Sequence, residues 1–285
     1  MLTLRSGNAV PAAAPLSCLL GGASLEVTAK DAARLAAEAP GLRPSAIFIP
    51  WLPGEGFEPR LKAAAALRRA GQEPVPHVSA RRLESRIALR DQLARLSGEA
   101  GVTRLLLVAG DPQTPLGPYA DSLSVIEDTD FAAFGIARIG LAGHPEGHPQ
   151  MPGRETETLR RKIAALAAQD VEAEIVTQFS FDPDLVADWL RSLRGQGIAV
   201  PAAIGLPGPA KVATLLKFAA RCGVGASARA VAKYGFSLSR LFGNAGPEAF
   251  VARLAESTAG DPALRLHIYP FGGFSETAGW LEGLS

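Results

Sequence analysis

Short apolar runs bounded by Gly, Pro or polar residues recur along the chain: SLEVT (24–28), AIFIP (46–50), PVPHVS (74–79), TRLLLVAG (103–110), GIARIGLAG (135–143), AEIVTQF (173–179), VPAAIGLP (200–207) and LRLHIYPF (264–271). Their length and turn boundaries predict buried strands. Between them lie Ala-, Leu- and Arg-rich segments with apolar positions at helical spacing: DAARLAAEA, RLKAAAALRRA, ESRIALRDQLARLSGEA, ETLRRKIAALAAQ, LVADWLRSLRGQG and PAKVATLLKFAARCG. Strands alternating with helices imply a parallel sheet covered on both faces, because each right-handed crossover lays its helix on the sheet. Eight such units fit a closed barrel better than an open sheet. The expected fold class is therefore α/β, a single (β/α)8 TIM barrel over residues 24–285, preceded by an N-terminal extension, 1–23. The chain's 285 residues are a usual size for such a barrel. Residues 223–246 form the least regular segment, read as a loop with an extra helix or a lid, and Gly243, Asn244 and Gly246 make a helix stop before PEAFVARLAES.

Lys and Arg total 29 against 28 Asp and Glu, a net charge of +1, so no overall attraction toward nucleic acid or an anionic membrane is expected. The basic runs near Arg81 and Arg160 lie at helical spacing and read as solvated faces. The two cysteines, Cys18 and Cys222, are too few and too far apart for a disulfide framework or a zinc knuckle, which fits a reducing cytoplasm. Pro11 and Pro15 interrupt the apolar run near the N-terminus, which speaks against a secretory leader. No apolar stretch reaches about 18 residues, so no membrane span is expected. The sequence leaves a homo-oligomer open.

Chemistry concentrates at two strand ends. LAGHPEGHPQ (141–150) sets His144, Glu146 and His148 in a Gly/Pro turn after the fifth run, and these are two of only four histidines. In AEIVTQFSFDPD, Thr177 and Gln178 interrupt an apolar strand before Asp182 and Pro183 open a helix. Active sites of such barrels collect at the C-terminal strand ends, which places Glu26, His77, Asp111, His144, Gln178 and Tyr269 near one rim. No G-x-G-x-x-G follows a strand, no nucleophile elbow occurs, and His144 and His148 lack a third ligand at matching spacing, so no metal is expected.

Taken together and in order, SLEVT, PHVS, VAGDP, PYAD, LAGHPEGHP, LRRKI, VTQFSFD and LHIY resemble the methylenetetrahydrofolate reductase family over roughly residues 24–283, most specifically in GHPEGHP and TQFSFD. The resemblance implies a flavin barrel that passes a hydride from NADH or NADPH through FAD to methylenetetrahydrofolate. It implies a catalytic acid at Glu26, with a pKa raised by apolar walls so that it protonates the folate. It implies substrate contacts from Asp111 and Gln178 to the pterin and stacking by Phe181, with Phe179 its alternative. On the cofactor side it points to His77, Gly110, Tyr119, Ala120, His144, His148, Arg161 and Lys162, the last two toward a pyrophosphate.

Five positions depart from the family pattern. Pro50 stands where a hydroxyl residue is usual, Ala109 where an Arg precedes Gly-Asp, and His144 where an aromatic lines the flavin; Ser180 interrupts an aromatic run, and Gly272 replaces an Asn. Most lie on the flavin side, so two alternatives stand beside the flavoprotein: direct hydride transfer from nicotinamide to folate, and a folate-binding paralogue without reductase activity.

Overall fold

A computed structural model describes residues 22–38, 45–148, 150–222, 224, 247–258 and 261–282. The N-terminal extension up to residue 21, with Pro11, Pro15 and Cys18, and the segment 225–246 with its helix stop lie outside the described residues.

Eight parallel strands close on themselves in chain order: β1 (Ser24–Glu26), β2 (Ile47–Ile49), β3 (Pro74–Ser79), β4 (Arg104–Val108), β5 (Arg138–Gly143), β6 (Glu172–Thr177), β7 (Ala202–Pro207) and β8 (Leu264–Tyr269). Each lies in or at the edge of one of the eight apolar runs. The barrel shuts by pairing Ser24 of β1 with His267 of β8. The protein is an α/β chain with a single (β/α)8 barrel.

Helices cover the outside: α1 (Ala29–Glu38), α2 (Phe57–Arg69), α3 (Arg86–Ala100), α4 (Ser122–Glu127), α5 (Glu155–Ala167), α6 (Pro183–Gly195), α7 (Val212–Cys222), α8 (Glu248–Ser257) and α9 (Phe274–Glu282). Their ends follow local chemistry. Ser85 caps α3 by accepting from the Ala88 N–H at 3.0 Å, and Gly101 ends it in the left-handed region at φ 59°. Asp182 caps α6 by accepting from the Asp184 and Leu185 N–H groups, with Pro183 at the first helical position. The short α4 was not legible from periodicity; a capping box between Asp121 and Ser124 sets it instead.

Strand alternation sorts the side chains. Ala46, Phe48, Val75, Leu106, Val176 and Ala203 form a cluster inside the barrel, separate from the larger core between sheet and helices. Residues two apart share a face. Hence His77 and Ser79 on β3 point inward like Val75, and Glu26 does so through its register with Phe48. At the barrel floor Arg104 of β4 reaches Glu174 of β6 at 2.7 and 3.0 Å, across Gly140 of the intervening β5. A Cβ at Gly140 would meet Leu106 Cδ1 at 2.9 Å, so the interior has no room for one.

Two glycine substitutions with opposite expected signs check this packing. At Gly205 a Cβ would lie 2.5 Å from the Thr177 carbonyl and 2.8 Å from Tyr269 Cε2, so Gly205→Ala is expected to destabilise the fold by about 1–3 kcal/mol. Gly98 sits exposed inside α3 with nothing near its missing Cβ, so Gly98→Ala is expected to stabilise by about 0.5–1 kcal/mol. Urea midpoints that move in the same direction for both variants would contradict the packing described.

Candidate functional site

Phe48 forms the apolar platform of the site. His267 meets its ring edge-on at a centroid distance of 4.6 Å, and His77 at 6.2 Å. Above this layer the Glu26 carboxylate stands between the two imidazoles, with Oε2 3.4 Å from His77 Nε2 and 3.7 Å from His267 Nε2. Both nitrogens are buried and neither makes a well-aligned hydrogen bond. The other ring nitrogen of His267, Nδ1, lies 2.8 Å from Ser24 Oγ, and that hydroxyl is placed to donate to the Leu266 carbonyl at 3.2 Å. With its proton so directed, Ser24 accepts from Nδ1–H of His267, and Nε2 faces Glu26 with a lone pair or a second proton.

The expectation that Glu26 has a raised pKa is corrected. Burial does push the carboxyl up, but the long hydrogen-bonding contact to His267, aided by the electrostatics of His77 and His267, outweighs it and holds Glu26 below the ordinary carboxylate value. Apolar walls are only half of its surroundings. Burial pulls His77 down to about 4, against the raising effect of Glu26, so near neutrality this imidazole carries no charge.

Beside His77 a cavity of about 250 Å³ is lined by Pro50, Trp51, Pro53, His77, Ser79, Val108, Gly110 and Asp111. Ser79 Oγ is buried there without a partner. Gly110, at φ 93°, packs so closely on Ser79 that a Cβ would collide with its hydroxyl. The Trp51 ring is braced from one side by the buried Arg60, whose guanidinium carbon lies 3.9 Å from the ring centroid and whose Nη1 donates to the His77 carbonyl at 2.8 Å.

Asp111 stands at the rim, half exposed, gripped by both arms of Arg82: Nε donates to Oδ1 and Nη2 to Oδ2, each at 2.8 Å. The neighbouring Arg81 donates to the Ala120 carbonyl at 2.7 Å and to the Pro112 carbonyl at 3.4 Å. Reading the basic run near Arg81 as a solvated face was therefore wrong. Residues 80–82 form a 3-10 turn, not a longer helix, and that turn aims both arginines at the loop after β4.

The remaining sequence candidates separate into those at the rim and those that point elsewhere. His144 and His148 pack edge to face at 4.6 Å, while Glu146 turns away to accept from Ser180 Oγ at 3.1 Å. His148 Nδ1 accepts from the Gln150 N–H, and its own backbone N–H donates to Glu155. Burial lowers His144 to about 4, with the charges of His148 and Lys162 adding to the effect, and also lowers His148, with Lys162 and Arg81 adding to it against Glu155. Lys162 is buried and lowered chiefly by that burial, and among the described residues no carboxylate forms an ion pair with it. Arg161 is exposed and pairs with Glu127 at 3.4 Å.

Gln178, half-buried at the end of β6, accepts the Phe179 N–H on Oε1 at 3.1 Å. Phe181 is buried in an aromatic cluster with Phe179 and Tyr269, 5.6 Å from Phe179 between centroids. Tyr119 is buried in the outer core, and its hydroxyl donates to Asp128 at 2.7 Å, away from the cavity. Ala120 offers its carbonyl to Arg81. Sequence reasoning passed over Ser24, His267, Trp51, Ser79 and Arg82. The alternation in LRLHIY and the Ser24-x-Glu26 spacing carried a signal for the first two, since each puts a polar group on an inward face.

Ser79 Oγ, buried without a partner among the described residues, is a hydrogen-bonding group that a polar ring edge in the cavity beside His77 could use, and Lys162 is a buried cation near the Asp121 carboxylate whose charge a phosphate could share.

A scan of family models finds no match. The chain is 28% identical to methylenetetrahydrofolate reductase 2 of Saccharomyces cerevisiae over 192 residues, 62% of this chain and 30% of that protein. The chain thus spans less than a third of the length of that relative. Among solved structures it is similar to a deoxyribose phosphate aldolase from Aeropyrum pernix (TM-score 0.48, 13% identity, 95% of this chain and 94% of that one). It is also similar to a mandelate racemase/muconate lactonizing enzyme from Bordetella bronchiseptica (TM-score 0.45, 13% identity, 94% and 60%). Among the described residues no helix is long and apolar enough to cross a membrane.

Stability is expected to fall as the pH is lowered from about 6.5 to about 4. Unfolded His77 takes up its proton near the ordinary value of 6.5, whereas the folded side chain stays neutral down to about 4. The unfolded state binds more protons throughout that window, at about 1.4 kcal/mol per pH unit. Below about 4 this loss is complete. His144 acts with the same sign, and so does Glu26, whose depressed folded value gives stability that is lost as the pH falls through it. Urea midpoints across this range check it: His77→Asn should flatten the curve, and an unchanged slope would contradict the assignment.

Proposed function

We propose that the chain is a methylenetetrahydrofolate reductase that uses NADH or NADPH as its hydride donor. The observation that carries this reading is the Glu26 carboxylate, held between His77 and His267 over Phe48 at the C-terminal mouth of the barrel. The similarity to the yeast reductase supports it.

The reaction needs one proton and one hydride. Protonation at N10 of the folate opens the methylene bridge to an iminium on N5, and a hydride delivered to that carbon gives the methyl group while the nicotinamide becomes oxidised. Glu26 supplies the proton. Its side chain is still 20% exposed, so a folate seated over it removes the remaining water and pushes the carboxyl up from its depressed resting value. The neutral His77 does not compete for a negative partner. His267, fixed by Ser24, holds Nε2 3.7 Å from the Glu26 carboxylate and fixes the side of the site on which it stands. Gln178 after β6 and Asp111 after β4 stand on either side of β5 to orient the pterin, and the buried aromatics around Phe179 and Phe181 wall the Gln178 side.

FAD, when bound, supplies a two-electron carrier between the two substrates; Gly110, Ser79 and Lys162 are the residues that would hold it. Direct transfer from nicotinamide to folate is the second reading. It is favoured by the small cavity beside His77, whose wall is built from Pro50, Trp51 and Pro53.

Purified protein is expected to form methyltetrahydrofolate from methylenetetrahydrofolate with NADH or NADPH; no product with either donor, with or without added FAD, would overturn the reading. A yellow protein, or one that takes up FAD, supports the flavin form, and a colourless active one supports direct transfer. Glu26→Gln should keep folate binding and lose most of the turnover, about a hundredfold or more for a missing general acid. Normal turnover in that variant would move the acid elsewhere.

A further inference from the structure

The indole of Trp51 is held at its face and at its edge. Arg60 covers one face, its guanidinium carbon 3.9 Å from the ring centroid, and the indole Nε1 donates to the Glu55 carbonyl at 2.8 Å, inside a turn that the Glu55 N–H closes on the Leu52 carbonyl. Arg60 is a costly brace. It is 1% exposed, and its Nε and Nη2 have no hydrogen-bond partner, while Nη1 donates to the His77 carbonyl. One buried cation thus fixes both Trp51 and the backbone of β3 at His77, and the part of the indole that Arg60 leaves open borders the cavity beside His77.

The rest of the cavity lining offers one uncommitted hydroxyl. Ser79, 2% exposed, ends β3 on the inward face two residues after His77, and its Oγ has no partner. Asp111 is taken up by the two arms of Arg82, and Nε2 of His77 is turned to Glu26. What remains is a slot with an aromatic wall, apolar sides from Pro50, Pro53 and Val108, and the Ser79 hydroxyl.

Size selects the ring that such a slot takes. Cavities that enclose a drug-sized ligand run to about 300–1,000 Å³, so one of about 250 Å³ suits a single six-membered ring with a short polar substituent, not three fused rings and the chain that leaves them. Position adds the chemistry. His77 lines the cavity and its Nε2 stands 3.4 Å from the Glu26 carboxylate, so a ring seated there lies one side chain away from the acid.

We propose that this cavity seats the nicotinamide ring of NADH or NADPH directly, set against Trp51 and with its carboxamide oxygen accepting from Ser79 Oγ. This assignment rests on the direct-transfer form of the reductase reading. Glu26 gives its proton to N10 of the folate, the bond from N10 to the methylene carbon breaks, and the iminium forms on N5. The hydride then leaves C4 of the dihydronicotinamide with both electrons and forms the third C–H bond of the methyl group, and the ring departs as a pyridinium. Arg60 is the positioning residue for the donor: it touches no substrate and acts through Trp51.

The test uses the full chain and a donor labelled with deuterium at the transferred position of C4. In ordinary water the methyl group formed should carry one deuterium per turnover. A reduced flavin holds the hydrogen on a nitrogen that exchanges with water, so loss of the label to solvent overturns the proposal. Equilibrium dialysis with NADH and with NADPH, free of folate, checks the seat. For the tighter donor Trp51→Leu is expected to raise the Kd about tenfold and Ser79→Ala about three- to tenfold, the worth of an aromatic contact and of one neutral hydrogen bond, with the Kd for methyltetrahydrofolate changed less than about twofold. Trp51→Phe, which keeps a ring on Arg60, should recover part of the loss. Ser79→Ala should also bring the donor and its thionicotinamide analogue to equal affinity, because sulfur accepts a hydrogen bond poorly and the hydroxyl is what tells the two apart. Unchanged donor affinity in both variants overturns the proposal, and so does a parallel rise in the folate Kd, which marks a merely structural role. A wild-type chain that forms no methyltetrahydrofolate overturns the reductase reading; the folate-free dialysis then upholds or overturns the nicotinamide seat by itself.

Discussion

A carboxylate at the mouth of a packed barrel has to be held by groups from other strands, and the rest of the site follows from how Glu26 is held. Its own strand, β1, is three residues long and supplies only Ser24 as a second inward polar group. His77 comes from β3 and His267 from β8, on either side of β1. His267 could not reach Glu26 in an open sheet, because β8 lies beside β1 only when the barrel closes. Closure therefore contributes both stability and chemistry: the same β1–β8 pairing that removes the sheet edges completes the set of groups around the carboxylate.

Charge sits at two levels of the barrel interior, with apolar packing between them. Arg104 and Glu174 pair at the floor across Gly140, and Glu26 stands with two histidines at the mouth. Between them Phe48, Leu106, Val176 and Ala203 form part of a buried apolar cluster. The floor pair has a full counter-charge. At the mouth burial keeps His77 neutral near neutral pH, while contacts to the buried ring nitrogens of His77 and His267 hold Glu26 in its charged form.

The rim is built by ties between successive loops. The 3-10 turn after β3 fastens the loop after β4 through Arg81, Arg82 and backbone bonds; the turn after β5 is fastened to the end of β6 by Glu146 and Ser180, and to α5 by Glu155. Rim loops without regular structure are held in this way to a rigid scaffold, which is what a site assembled from several strand ends requires.

The order of elements is written locally. Each apolar run is bounded by its own turn residues, Ser85, Asp182 and Gly101 mark helix ends within a few positions, and the alternation in β3 and β6 already puts His77 and Gln178 on inward faces. From eight such units the barrel follows, because a parallel sheet with covered faces has few other ways to end. What stayed illegible depends on neighbours far along the chain. Whether burial or a partner decides the charge of Glu26 turned on His267, from the opposite end of the chain; whether Arg82 faces water or Asp111 turned on a 3-10 turn where helical spacing suggested a longer helix; and that the Tyr119 hydroxyl meets Asp128 depended on how the loop after β4 packs. Periodicity fixes the face on which a side chain lies, since that depends only on the backbone repeat. Its partner and its proton depend on distances and dielectric surroundings that exist only once the strands have closed.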